Sequence, residues 1–315
     1  MPGVGLVITV VDPGPLASVQ DPAGRPGWRR YGVPVGGAAD GWSARLANLL
    51  VGNPENAALV EVTLGGATFA TDAAALMAVC GGVTAAVDGT PLPLAGARAV
   101  RAGATISLGF GDGARGYLAV SGGLEVPLVL DGRGTDLRSA FGGHEGRALR
   151  AGDRLALGAA AEGRPAKWTG HRDGGPIRVM PGPHSDALPP LLDREWTVGP
   201  EADRTGVRLD GPELAGSESA SMGLPLGAIQ VPPDGRPIVM LVDRPVTGGY
   251  LVPACVIGAD IGRVAQLRTG DALRFARVSM EEARAAWRTS EEALQSLEPV
   301  ATDNEEWLGW SGAHE

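Results

Sequence analysis

Four clusters of polar side chains, set among glycine- and proline-rich turns, carry the chemistry open to this 315-residue sequence. The first is SVQDPAGRPGWRRYGVPVGGAADGWSARLANLLVGN (residues 18–53), where seven glycines interleave with Gln20, Asp21, Arg25, Arg29, Arg30 and Tyr31. Such a loop exposes backbone donors, and arginine adds a planar fork of N–H groups suited to a carboxylate or an amide. The same composition also suits an Ω-loop whose arginines are solvated. The second cluster, DGRGTDLRSAFGGHEGRALRAGD (131–153), offers Arg133, Thr135, Asp136, His144 and Arg147, with Gly142 and Gly143 able to bring backbone close to a ligand. It lacks the strand, GxxxxGKS/T loop and helix order of a phosphate loop. The third and fourth, EADRTGVRLDGP (201–212) and SESASMGLPLGAIQVPPDGRPIVMLVDRPVTGGYLVPACVIGAD (217–260), bring Arg204, Arg208, Ser217, Glu218, Gln230, Arg244, Thr247 and Tyr250 between turns. Arginines, acids and one amide converging from turns suit a polar, planar small molecule; the competing reading is that Asp203, Asp234 and Asp243 form turns and pair with the arginines.

Other chemistries lack their residues. Cys80 and Cys255 sit in apolar runs without CxxC or Cys/His spacing, which predicts two buried thiols and no metal. There is no GxSxG elbow and no HExxH, and one of the four histidines, His314, lies in the tail. Of 27 basic residues only Lys167 is a lysine, in the linker-like AAEGRPAKWTG, so lysine-based covalent catalysis has one poor candidate. No lysine lies between methionines, so the chain carries no biotin. A net charge of −9 disfavours nucleic acid and anionic membrane as partners. No apolar run approaches the roughly 20 residues of a membrane span, and the start has no leader pattern, which together predict a cytoplasmic protein.

The elements that must position these clusters read as strands. Gly 49 and Pro 25 suit short strands joined by tight turns. Apolar or alternating runs recur: LVITVVD, ALVEVTL, ALMAVCG, TISLGF, GYLAVSG, RLALG, IRVMPG, GVRLDG, IVMLVD, ACVIGA and LRFARV. RAGATISLGF, RAGDRLALGA and RTGDALRFAR share a turn followed by a strand, a weak internal echo. Two helices are expected. One, in AADGWSARLANLLVGN, has Asp40 as N-cap and Trp42, Leu46, Leu49 and Leu50 on one face; the other, in SMEEARAAWRTSEEALQSLEP, has a Ser279/Glu282 capping box. Apolar periodicity is lost over 159–175, which places the domain break there.

The order of VQDPAGRPGWRRYGVPVGGAAD, LANLLVGN, GYLAVSGGLEVP, GRGTDL, FGGHEGRALRAGD, DRTGVRLDGP, PLGAIQVPPDGRPIVMLVDR and TGGY resembles a family with three kinds of member: the C subunit of 5-oxoprolinase, Kip-type kinase-inhibitor antagonists and the second half of the urea carboxylase carboxyltransferase domain. The resemblance runs from about residue 8 to about residue 287. It implies an all-β chain with a few helices, built as two cyclophilin-like β-barrel domains at 1–165 and 166–290, followed by a helical end and flexible tail at 291–315. It implies partners like the A and B subunits of 5-oxoprolinase, the latter a KipI-like protein. The activity implied is ATP-dependent opening of 5-oxo-L-proline to L-glutamate, with ATP bound by the complex or by this chain and this chain inactive alone. The alternatives it implies are carboxyl transfer from a biotin carrier to a small amide such as urea, or a regulatory protein that binds a kinase inhibitor. On this reading Glu218, Gln230 and Arg204 are catalytic, while Gln20, Asp21, Arg25, Tyr31, Arg208, Ser217, Arg244, Thr247, Gly248, Gly249 and Tyr250 bind a small amide or lactam. Two positions depart from the pattern: Glu218 stands where urea carboxylase contributes an asparagine, and Leu251–Val252 follow TGGY where the family has Pro-Lys.

Overall fold

The computed structural model describes residues 6–160, 165–170 and 174–300. The expected tail and His314 therefore lie, apart from residues 291–300, outside the described residues. The chain forms two compact units. One comprises residues 1–24, 41–170 and 294–315, and the other comprises 25–40 and 171–293. The sequence reading draws contiguous boundaries at 165 and 290; by contacts, a 16-residue segment from the N-terminal half belongs with the second unit.

In the first unit the strands are β1 (Val7–Asp12), β2 (Leu16–Gln20), β3 (Leu59–Thr63), β4 (Ala67–Thr71), β5 (Ala75–Gly81), β6 (Thr84–Val87), β7 (Thr90–Pro91), β8 (Ala97–Val100), β9 (Thr105–Gly109), β10 (Arg115–Val120) and β11 (Arg154–Ala156). They pair as two sheets, β11-β1-β4-β9-β6-β7 and β2-β3-β10-β5-β8. Alternation along β1, β4 and β9 turns Ile8, Val10, Phe69, Ile106 and Leu108 onto a shared core with Val60, Val62, Met77, Val79 and Leu118 of the second sheet. Backbone pairing leaves these sheets separate rather than closing the expected barrel. Helix α1 (Gly41–Leu50) buries Ala44, Leu46, Ala47 and Leu50, whereas Trp42 and Leu49 are half-buried. Trp42 meets Trp168 edge-on at 4.9 Å. A short strand β12 (Ala166–Lys167), inside the stretch expected to be linker, pairs with β21 (Glu298–Pro299). Lys167 forms an exposed ion pair with Glu298 at 3.3 Å.

In the second unit β13 (Ile177–Pro181), β14 (Glu195–Ala202), β15 (Gly206–Asp210), β16 (Glu218–Gly223), β17 (Ala228–Val231), β18 (Ile238–Met240), β19 (Thr247–Val256) and β20 (Ala272–Arg277) form one sheet ordered β13-β20-β14-β15-β18-β17-β19-β16. Because β13 also pairs with β19, the sheet returns on itself and leaves β16 as an appended edge strand. Trp196, Val198, Leu209, Ile229, Val239, Ala254 and Phe275 fill its interior. Short helices α2 (Pro189–Leu192) and α3 (Ile261–Ala265) add Leu191 and Val264 to that core. Helix α4 (Met280–Gln295) opens with the expected capping box: Ser279 N–H donates to Glu282 Oε2 at 2.7 Å and Glu282 N–H to Ser279 Oγ at 3.2 Å.

The repeated sequence unit is one turn used three times. Ala104, Asp153 and Asp271 N–H donate to the carbonyls of Arg101, Arg150 and Arg268, three residues back, and Gly103, Gly152 and Gly270 have φ of +75°, +89° and +92°. That is a type II turn, which requires positive φ at its third position. In two copies the aspartate also accepts from the arginine's own N–H, at 2.8 Å each.

Candidate functional site

The first sequence cluster is divided between the units. Gln20 ends β2 in the first unit and Asp21 follows it, both buried. Gln20 Nε2 donates to Ser18 Oγ at 3.0 Å and to the Thr135 carbonyl at 3.2 Å, and Arg133 N–H donates to Asp21 Oδ2 at 2.9 Å. Among the described residues Gln20 Oε1 is buried without a partner. The second cluster packs on them. A Cβ on Gly134 would stand 2.6 Å from Gln20 Oε1, and one on Gly143 (φ +52°) would collide with Thr135 Oγ1. These glycines let the chain pack against its own side chains, so the loop is filled rather than open as a phosphate cradle. Arg147 grips Asp153 through two donors at 2.7 and 2.9 Å, and this bond holds the Asp153 carboxyl down at about 2.

Arg25 and Tyr31 belong to the second unit, with the third and fourth clusters. Arg25 is buried and its N–H donates to the Val35 carbonyl at 2.7 Å, while Tyr31 is exposed and stacks near Trp28 and under Arg30. Arg204 is 4 % exposed. Its Nε and Nη2 reach Asp243 at 2.8 and 3.1 Å, and Nη2 also donates to the Gly37 carbonyl at 2.6 Å. Gly36 N–H donates to the Val242 carbonyl at 3.1 Å. Arg204 and Asp243 thereby fasten residues 25–40 to the sheet. Arg208, half-buried, is engaged by Glu201 and Asp234 at 2.7 Å each, and the backbone N–H of Arg236, with Arg208, holds the Asp234 carboxyl low.

The remaining predicted residues gather where β17, β19 and β16 adjoin. Gln230 on β17 is 4 % exposed, and its Nε2 is buried without a partner among the described residues. It lies over Gly248 of β19, where a Cβ would stand 2.5 Å from Gln230 Nε2 and 2.7 Å from Leu224 Cδ1. Glycine at 248 is what admits the amide. Arg244, 5 % exposed, directs Nε to the Leu224 carbonyl at 3.0 Å and Nη1 to that of Leu241 at 3.1 Å. Arg29 donates to the same Leu224 carbonyl at 2.6 Å and to that of Val246 at 3.3 Å. Burial first, and the neighbouring Arg29 charge second, lower the Arg244 guanidinium to about 10. On the exposed side Glu218 faces Tyr250 across β16 and β19, Ser219 Oγ donates to the Tyr250 carbonyl at 3.2 Å, and the Ser217 carbonyl accepts from Leu251 N–H at 3.3 Å. Thr247 pairs with Gly223, and Gly249 is half-buried between Gly248 and Tyr250. Cys255 is half-buried rather than fully so, and burial pushes its thiol up to about 11, away from reactivity. Among the described residues no group of three or more His, Cys, Asp or Glu is placed to hold a metal ion, and no helix is long and apolar enough to cross a membrane.

The sequence reading misses the adjacency of Arg29 and Arg244. Both stand in polar clusters, but 215 residues separate them, and only a shared carbonyl acceptor shows that they meet.

Comparison with known proteins places this arrangement. The family model for the carboxyltransferase domain, subdomain A and B, matches residues 31–277. The C subunit of 5-oxoprolinase from Escherichia coli (strain K12) is 35 % identical over 307 residues, covering 92 % of this chain and 97 % of the relative. That of Haemophilus influenzae is 33 % identical, covering 94 % and 99 %. The crystal structure of the Kluyveromyces lactis urea carboxylase superposes with a TM-score of 0.87 at 30 % identity over 94 % of this chain, which spans 30 % of that protein. This mostly-β chain belongs to the carboxyltransferase domain family, subdomain A and B.

Proposed function

We propose that this chain works as the C subunit of an ATP-dependent 5-oxoprolinase, in a complex with proteins like that enzyme's A and B subunits, and that it is inactive alone. The observation that carries this reading is the end-to-end correspondence with the E. coli relative, 97 % of whose length the chain spans. In the reaction proposed, the terminal phosphoryl group of ATP passes to the lactam oxygen, which makes the ring carbon electrophilic. ADP leaves, one water adds to that carbon and the ring C–N bond breaks to free the amine, with the side-chain carboxyl still held as an acyl phosphate. A second water then cleaves the acyl phosphate to glutamate and inorganic phosphate.

Gln230, at the bottom of the glycine-lined floor made by Gly248, suits an amide or lactam, and Glu218 with Ser217, Thr247, Gly249 and Tyr250 lines the exposed side of the same strands. Arg204 contributes by holding residues 25–40, with Arg25 and Tyr31, in place. ATP handling falls to the complex in this reading, because the glycine-rich loop at 131–153 is packed by Gln20 and Thr135. Lys167, between Ala166 and Trp168, has none of the surroundings of a biotinylated residue.

The test is release of glutamate from 5-oxoproline with ATP, measured for this chain alone and mixed with its partner proteins. Activity confined to the mixture is the expected result. A second reading, a carboxyltransferase component acting on a small amide, draws on the match to urea carboxylase. It predicts turnover blocked by avidin, which the first reading does not. Capture of a kinase inhibitor without amide turnover would favour a regulatory role instead.

A further inference from the structure

Arg29 and Arg244 place two guanidinium groups on one backbone carbonyl, that of Leu224. Every hydrogen-bond acceptor of either side chain among the described residues is a backbone carbonyl: Leu224 and Val246 for Arg29, Leu224 and Leu241 for Arg244. Neither has a carboxylate in salt-bridge range among the described residues, although Arg204, Arg208, Arg147 and Arg178 all do. A buried guanidinium is costly unless an anion compensates it, and two side by side repel. Carbonyl oxygens relieve part of the cost but cancel no charge.

Beside them stands a second uncompensated group. The Gln230 side chain, more than nine-tenths buried, has an amide nitrogen without a partner among the described residues, and Leu224 links it to the arginines: its Cδ1 packs at Gly248 beneath the amide, and its carbonyl holds both guanidinium groups. Two unneutralised cations and an unpaired amide around one residue have a common complement, a small molecule bearing a carboxylate and a nearby amide or lactam.

We infer that Arg29 and Arg244 form a carboxylate-binding pair, and that Gln230 reads the amide or lactam of the same ligand. This deepens the 5-oxoprolinase reading and rests on it only for the identity of the ligand: 5-oxoproline has both groups on one ring. A carboxylated amide presented by another protein has the same chemistry.

The test is calorimetric titration of the full chain, alone and mixed with its partner proteins, with 5-oxoproline, with 2-pyrrolidinone (the lactam without the carboxylate) and with succinamate (carboxylate and open-chain amide). Wild type is expected to bind 5-oxoproline at least about tenfold more tightly than 2-pyrrolidinone, the size of one charge-assisted hydrogen bond. Arg29→Met is expected to lose about tenfold for 5-oxoproline and nothing for 2-pyrrolidinone. Arg29 is only half-buried, so an unchanged melting temperature separates lost binding from lost fold. Gln230→Met is expected to weaken both lactams alike. Arg29-dependent binding of succinamate with none of 5-oxoproline would keep the carboxylate site and remove the 5-oxoprolinase reading. Equal affinity of wild type and Arg29→Met for 5-oxoproline, or no carboxylate bound by chain or mixture, would overturn the site.

Discussion

Three polar side chains of the molecule make different demands on the fold. Arg204 is satisfied by Asp243 and Gly37, so Arg204→Ala takes a charged donor away from a carboxylate and from a carbonyl. Breaking one side of a buried pair costs about 3–5 kcal/mol, and urea unfolding should show a loss of that order. The Gln230 amide nitrogen has no partner to lose among the described residues. Gln230→Met should leave stability unchanged or raise it by up to about 1 kcal/mol, since an orphaned buried amide is a desolvation cost without a return. A clear loss in the same urea experiment would mean that Gln230 belongs to the structural core. Asp153, the third, sets an acid limit. Held by Arg147, its carboxyl is lowered from the ordinary value to about 2, so its contribution is present above the unfolded value near 4 and disappears as pH falls through 2. Asp153→Asn should flatten the stability profile across that window, as followed by thermal melts between pH 5 and 2. In the sequence most of these residues can be named as polar groups at turns. Which of them are spent on the fold cannot be read there, because Arg204 meets Gly37 across 167 positions and Arg244 meets Arg29 across 215.

Elements are legible where local pattern decides them. The apolar runs are strands, and the Ser279/Glu282 box opens α4, because alternation and capping act over a few residues. The Arg-x-Gly turn that precedes β9, β11 and β20 is visible as an echo and is one backbone conformation. It supports a graded prediction. A Cβ at Gly152 meets nothing within 4 Å, so Gly152→Ala costs only what positive φ imposes, about 1–2 kcal/mol. At Gly227, also at positive φ, a Cβ would lie 2.7 Å from Ile261 Cδ1 and 2.8 Å from the Val256 carbonyl, so Gly227→Ala should cost distinctly more in the same chemical denaturation series. Less legible is where a sheet closes. The double pairing of β13 in the second unit and the two separate sheets of the first depend on which distant strands meet, and no strand carries that information in its own sequence.

At the scale of the molecule, the discontinuous second unit is the feature a linear reading could not supply. Residues 25–40 lie in the densest glycine and arginine cluster of the N-terminal half, yet their hydrogen bonds run to Val242, Arg204, Leu224 and Val246. The family match likewise joins residues 31–277 in one stretch across that exchange. A chain organised in this way, with Arg29 and Arg244 on one carbonyl beside the buried Gln230 amide, fits the proposed component that handles a small lactam for a larger enzyme. The most direct test of that account is an add-back titration: glutamate released from 5-oxoproline per ATP consumed, with the A- and B-type partners fixed and this chain increased from zero. The account predicts no release without the chain and a rise that saturates at a fixed ratio to the partners. Full-rate release in its absence, or no release at any ratio, would contradict it.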